Sequence, residues 1–299
     1  MALSILSNPA ASSAAFSLNK NSAKLQQSLN RLSSGKKITT PADDAGGLAV
    51  SMKLSSAITR NRSVISNIQN ALSFAEVQDG ALTSAATIVN RMAELKSMSM
   101  DVLKSSSDKA NYNVEFQALQ TQLHSIASEA FNGVTLFSSE SNKTFGTHAV
   151  NVTIFTSDLG ANGSTVSLGK ALLVSAVTFT SGTSTAAAAA GATGSKSLAV
   201  ASGGSKVSVG ELGVSFFTKA LENIATLRAT NAAGMARLQL AEDHARLTMA
   251  NLEAANSRIM DVDVAEESTR FAKYNILTQA SAAMLSQANQ ASSTALLLL

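Results

Sequence analysis

The sequence contains no cysteine and no tryptophan, and only two tyrosines and two prolines in 299 residues. Without cysteine, a disulfide framework and thiol catalysis are both excluded. Aromatic residues make up 4% of the chain although 45% is hydrophobic, so Ala, Leu, Ile, Val and Met carry the apolar content. That composition suits thin helical layers packed through small side chains better than a thick aromatic core. Long apolar runs are missing too. Ala186–Ala190 and Leu296–Leu299 come nearest to the ~18 residues that a bilayer span requires. The first cation is Lys20, so the mildly apolar N-terminus is not read as a secretory signal, which places charge ahead of its apolar run.

Net charge is only +3, too little to argue for nucleic acid. It is unevenly placed: residues 1–70 hold eight Lys/Arg against two acids, and the remainder holds an acidic excess. Chemistry-bearing motifs are absent as well. His124, His148 and His244 have no zinc-ligand spacing, and neither a phosphate-binding glycine loop nor a nucleophile elbow occurs. The acidic pairs Asp43-Asp44 and Glu266-Glu267 fall at helix starts, where capping and the helix dipole account for them. The chain is read as a non-enzyme with no catalytic, cofactor or metal residues.

What is present is heptad periodicity. Leu18, Ser22, Leu25, Leu29 and Leu32 alternate spacings of four and three, which predicts a helix from Asn8-Pro9 to about Ser33 with a narrow apolar seam. Gly35 is placed to end it in the left-handed conformation, and Lys36 and Lys37 suit its negative pole. Thr40, Pro41 and Asp43 read as the cap and first turn of a second helix. That helix carries Ile58, Ile65, Ile68, Leu72, Ala75, Asp79, Leu82, Ala86 and Val89 to about Lys104, roughly 90 Å at ~1.5 Å per residue.

A cluster at Ser105–Asp108 should break the helix. A shorter one follows with Phe116, Leu119, Leu123, Ile126 and Ala130 on one face, and Asn132-Gly133 marks a hairpin turn before Val134–Phe137. Residues 146–213 hold 11 of the 17 glycines and few charges. Strands are expected at Val150–Thr156, Val166–Leu168, Leu172–Thr180 and Lys206–Val209, around a low-complexity loop. A β insert of this composition is expected to bury little.

Heptads return from Phe217 through Ile224, Leu238, Ala245 and Leu252 to Ile259, with Arg228, Asn231, Glu242 and Asn256 as polar seam positions suited to register control. Asp261 and Asp263 interrupt, and a last helix carries Leu277, Ala280, Met284, Ala288, Ala291 and Ala295. The fold class is mainly α: long antiparallel heptad-patterned helices folded back as a hairpin, paired terminal helices, and a small β-rich middle insert. Two terminal helices with one narrow seam are marginal alone. Pooling seams among copies stabilises them, and a rotation that does not close gives a filament.

The motifs resemble those of bacterial flagellins. They are L-N-R-L-S-S-G-K-K-I at 29–38, P-A-D-D-A-G-G-L-A at 41–49, D-G-A-L at 79–82 and N-G-V-T-L-F at 132–137. At the other end stand N-S-R-I-M-D-V-D-V-A-E-E at 256–267, S-Q-A-N-Q at 286–290 and the closing leucines. The resemblance implies three regions. Residues 1–40 and 261–299 form a terminal coiled-coil domain, the inner tube of a filament. Residues 41–145 and 211–260 form a long-helix rod with a short β-hairpin, the outer tube. Residues 146–210 form a variable, surface-exposed insert.

The resemblance further implies export without a classical signal through the flagellar type III apparatus to an extracellular filament. No cofactor is implied. Implied partners are other flagellin subunits, hook-associated junction and cap proteins and an export chaperone. An innate immune receptor is a further one, through Arg91, Glu94 and Leu95, and the acidic position that accompanies these in the next helix falls on Ala118. The assembly seam is assigned to Leu18, Leu25, Leu29, Leu32, Leu277, Met284 and Ala288. The nearest rival is a hook–filament junction protein, which shares the terminal signatures. A membrane-active protein is disfavoured because the seams are narrow and mixed in charge.

Overall fold

The computed structural model describes residues 8–138, 145, 151–180 and 195–297. The expected low-complexity loop lies, but for its end residues, outside them, as do His148 and the last two leucines. Helix α1 runs Pro9–Ser34, with the Asn8 side chain accepting from the Ala11 N–H and Gly35 closing it at φ 67°. Helices α2 (Ala45–Ser99) and α3 (Ser106–Ala127) follow. Strands β1 (Ala130–Phe131) and β2 (Val134–Thr135) form a hairpin around Asn132 and Gly133, both at positive φ as a type I′ turn requires. The insert supplies β3 (Asn151–Phe155), β4 (Thr165–Gly169), the single turn α4 (Leu173–Ala176), β5 (Thr178–Thr180) and β6 (Ser195–Ser197). Helices α5 (Val214–Met260) and α6 (Val264–Leu297) complete the order. The mainly helical fold with a small strand-containing middle is as expected.

The chain divides into two compact units, residues 1–59 with 249–299, and residues 60–248. In the first, α1 and α6 pack antiparallel: Asn8 Nδ2 donates to the Ala288 carbonyl, Asn21 to Ser281 Oγ, and Ser28 Oγ to Glu267. An isolated antiparallel bridge, Lys36 with Asp261, ties the two joints together.

In the second unit, Ile68, Leu82, Val89, Met92 and Leu95 of α2 meet Phe116 and Leu123 of α3 and Phe217, Ile224 and Leu238 of α5 in one core. Phe116 packs edge-on against Phe217, and Phe179 against Phe216. The described insert is not a thin outgrowth. Ile154, Val166, Leu168, Leu173, Val177, Phe179 and Leu198 lie in that same core, while Phe155 and Leu159 stay exposed. Strands β3 and β4 pair from Asn151↔Gly169 to Phe155↔Thr165.

Four local expectations are corrected. Helix α2 begins at Ala45 rather than Pro41, because Asp43 organises a turn ahead of it. The first-turn N–H of Gly47 is instead accepted by Asp44. It ends at Ser99, and Ser105 with Asp108 forms the capping box of α3 rather than a mere break. Part of the stretch expected as a strand at Leu172–Thr180 is the helical turn α4, and Lys206–Val209 is no strand, its last residue opening a 3-10 turn. Its polar neighbour β6, pairing with β5, was not expected.

Candidate assembly surface

The residues that α1 and α6 turn toward each other include a heptad series in a register that differs from the apolar one. On α6 it is Glu267, Phe271, Tyr274, Thr278, Ser281, Leu285 and Ala288, with Asn275 half-buried beside it. On α1 it is Ala11, Ala14, Leu18, Asn21, Leu25, Ser28 and Leu32, with Ala15, Gln27 and Arg31 half-buried beside it. Leu18, Leu25, Leu32 and Ala288 thus belong to the seam inside the chain. Leu29, 47% exposed, and Leu277 and Met284, 36% and 68% exposed, do not. Each stands one residue from a polar or aliphatic seam position (Ser28, Thr278, Leu285) and is turned outward. Phe16, Val50, Met52 and Ile276 join them as exposed apolar side chains of the same unit. The sequence reading missed these four because none continues a 4-3 series through the larger leucines.

The joint between α1 and α2 is held by one carboxylate. Asp43 Oδ2 accepts from the backbone N–H groups of Thr39 and Thr40, at 3.1 and 3.0 Å, and from the Thr39 hydroxyl. Its Oδ1 accepts from Gln27 Nε2 at 2.6 Å and, more distantly, from Arg31. These donors, Thr40 foremost, hold the Asp43 carboxyl far below the ordinary carboxylate range. The return joint mirrors it: Asp263 Oδ1 accepts from the N–H groups of Ala265 and Glu266, capping α6, and Ser257 bonds Asp261. Lys37 N–H donates to the Met260 carbonyl and Val262 N–H to that of Gly35. Both acidic pairs act in caps, turns and ion pairs.

The polar seam residues of α5 have partners too. Arg228 Nε and Nη2 each reach an Asp79 oxygen at 2.9 Å, and Asn231 donates to the Ala75 carbonyl. Glu242 takes Gln69 and Arg246, and Ser51 donates to Asn256. Elsewhere on the second unit, Arg91 pairs with Glu94 at 3.0 Å and with Glu115 of α3 at 2.8 Å. Leu95 is fully buried, so it contributes to the core and presents nothing to a surface partner. The acid that α3 supplies is Glu115, three positions before the expected Ala118.

Among the described residues, no group of three or more His, Asp or Glu is arranged to hold a metal ion, and no helix is long and apolar enough to cross a membrane. The features that remain are a set of exposed apolar side chains on the first unit and two carboxylate-braced joints.

The model of the bacterial flagellin N-terminal helical region matches residues 5–142, and that of the C-terminal helical region matches residues 214–299. The chain is 31% identical over 294 residues to a flagellar filament 33 kDa core protein of Treponema phagedenis, covering 98% of each. It is 32% identical over 274 residues to a flagellin of Listeria innocua, covering 91% of each. A flagellin of Treponema pallidum is 31% identical over 277 residues, with 92% of each covered. Two matched terminal regions and full-length relatives place the chain in the bacterial flagellin family.

Proposed function

We propose that the chain assembles into the flagellar filament through the apolar side chains that its own terminal helix pair leaves outside. As a flagellin it is a structural subunit of that filament and polymerises with other flagellin subunits; relatives named as flagellins and filament core proteins do not favour a junction protein. The observation that carries the mechanism is the register of the α1–α6 pair. It uses Asn21, Ser28, Thr278 and Ser281 internally and leaves Phe16, Leu29, Ile276, Leu277 and Met284 exposed. A pair that also leaves several large apolar side chains in water is stabilised when copies bury them against one another.

In this reading residues 1–40 with 261–299 line the inner tube, 41–145 with 211–260 the outer one, and 146–210 face outward. The subunit leaves the cell by the flagellar export route, escorted by a chaperone, and its neighbours include junction and cap proteins. Contact with an innate immune receptor would rest on Arg91 and Glu94, with Glu115 beside them and without Leu95. The test of the assembly reading is electron microscopy of purified protein with filament seeds, for the full chain and for one lacking about the first 30 residues. The full chain grows filaments and the truncated one stays soluble. Filaments of normal diameter from the truncated chain would end the proposal.

A further inference from the structure

We infer that the turn between α2 and α3 of one subunit docks into an apolar groove on the second unit of another copy of this chain. This rests on the filament reading and names one contact within it.

The turn is the most strongly exposed apolar feature among the described residues. Val102 and Leu103 are each 93% exposed, and Met98 and Met100 stand beside them. The turn is also built rather than loose. Leu103 N–H donates to the Asp101 carboxylate at 2.9 Å, and the Met100 and Asp101 N–H groups return to the Ser97 and Met98 carbonyls. Beyond it the Ser105–Asp108 capping box fixes the start of α3. Water is thus faced by two aliphatic side chains on a hydrogen-bonded mount, an arrangement that costs free energy in an isolated subunit.

The groove, about 310 Å³, is lined by Phe74, Phe131, Val134, Val152, Ile154 and Phe155. Phe74 and Phe131 meet edge-on with centroids 6.2 Å apart, forming its floor. Val134 and Phe155 are partly exposed on its lips, and the rim is amide and hydroxyl, from Asn67, Asn70, Asn132 and Thr153. Among the described residues no acid or base lines it, so it suits an aliphatic occupant.

Turn and groove cannot meet within one subunit. Asn70 at the groove and Met100 at the turn are separated by thirty residues of one chain segment, nearly all of it α2, which holds them roughly 45 Å apart at ~1.5 Å per residue. A second copy displaced by that distance satisfies both features. Each second unit then offers a turn and, that distance away along α2, a groove, a heterologous contact that repeats without closing.

The absence of cysteine makes the test direct. Full-length Leu103→Cys and Phe155→Cys chains are mixed, grown on seeds and exposed to a mild oxidant. A cross-linked dimer is expected in the filaments, and none in the unpolymerised mixture or when Leu240→Cys replaces Phe155→Cys. Filaments that grow without the dimer, or that give as much with Leu240→Cys, overturn the contact. Independently, Val102→Ser/Leu103→Ser should raise the critical concentration for elongation at least tenfold with circular dichroism unchanged; an unchanged critical concentration also overturns it. Wild-type chains that fail to grow on seeds count against the filament reading instead, which tells the two failures apart.

Discussion

Ser28 Oγ donates to Glu267 Oε1 at 2.5 Å, and both side chains are almost completely enclosed between α1 and α6. Arg31 and Arg270 approach the other carboxylate oxygen at 3.9 and 3.7 Å. One acidic residue from the C-terminal helix thus satisfies a buried hydroxyl and faces two cations.

Removing that carboxylate leaves Ser28 unpaired in the seam and Arg31, already with a buried unpaired Nε, less neutralised. Glu267→Ala should therefore destabilise the terminal pair by about 1–3 kcal/mol, and Ser28→Ala by less. Hydrogen exchange of α1 and α6 amides measures this, because the two units need not unfold together. Equal protection in wild type and Glu267→Ala would contradict the role assigned to the residue.

Asp43 gives a pH signature. Its folded pKa is depressed, by the Thr40 N–H first, so its contribution is complete above the unfolded value of about 3.9 and is lost as pH falls below it. Protection of the 36–44 joint should weaken below about pH 4. In Asp43→Asn the amide can accept from the Thr39 and Thr40 N–H groups only by turning its own NH₂ toward Gln27 Nε2. That variant should lose about 1 kcal/mol or more at neutral pH and show a flatter acid limb. A joint whose acid response is the same in both chains would remove Asp43 from the explanation.

Much of this was legible in the sequence where one residue has one physical option. Asn8-Pro9 starts a helix, Gly35 ends it at positive φ, and Asn132-Gly133 makes the hairpin turn. Legibility failed where two local signals compete. Thr40-Pro41 resembles a helix start, yet the Asp43 carboxylate gives the same N–H groups a turn. Apolar Leu172–Thr180 has no period that separates a helical turn from a strand, and polar Ser195–Ser197 pairs only because Thr178–Thr180 lies beside it. On α6 the larger side chains and the inner seam differ by one residue for another reason. Size and hydrophobicity point to Leu277 and Met284, whereas the pair inside the chain closes on Thr278, Ser281 and Leu285.

The α2–α5 seam contains a second buried compromise. Asn231 donates to the Ala75 carbonyl, but among the described residues its Oδ1 has no partner, nor has Gln78 Oε1, and both residues border a cavity of about 590 Å³. Polar seam residues fix register at a cost in stability. Asn231→Leu should therefore raise the stability of the 60–248 unit by about 1 kcal/mol, whereas Arg228→Ala, whose pair with Asp79 is partly exposed, should lower it by about 0.5–1 kcal/mol. Chemical denaturation of the full chain, followed by a probe in the second unit, checks both signs. A destabilised Asn231→Leu would show that the amide contributes stability as well as register.

The register of the terminal pair separates folding from assembly. Leu25 is half-buried against α6, whereas Met284 and Leu29 face outward. Leu25→Glu places a charge inside the pair and should expose both terminal helices to proteolysis in the unpolymerised subunit. Met284→Glu and Leu29→Glu leave that pair intact, with circular dichroism and proteolytic pattern unchanged, but set a charge on the face shared between copies and should stop growth on seeds. Two readouts on the same preparations, limited proteolysis and seeded elongation, therefore sort the three variants. If Met284→Glu elongates normally, the outward face is not the pooled one, whatever happens to Leu25→Glu. If Met284→Glu fails in both assays, Met284 supports the subunit itself, and the division between inner seam and outer face is wrong.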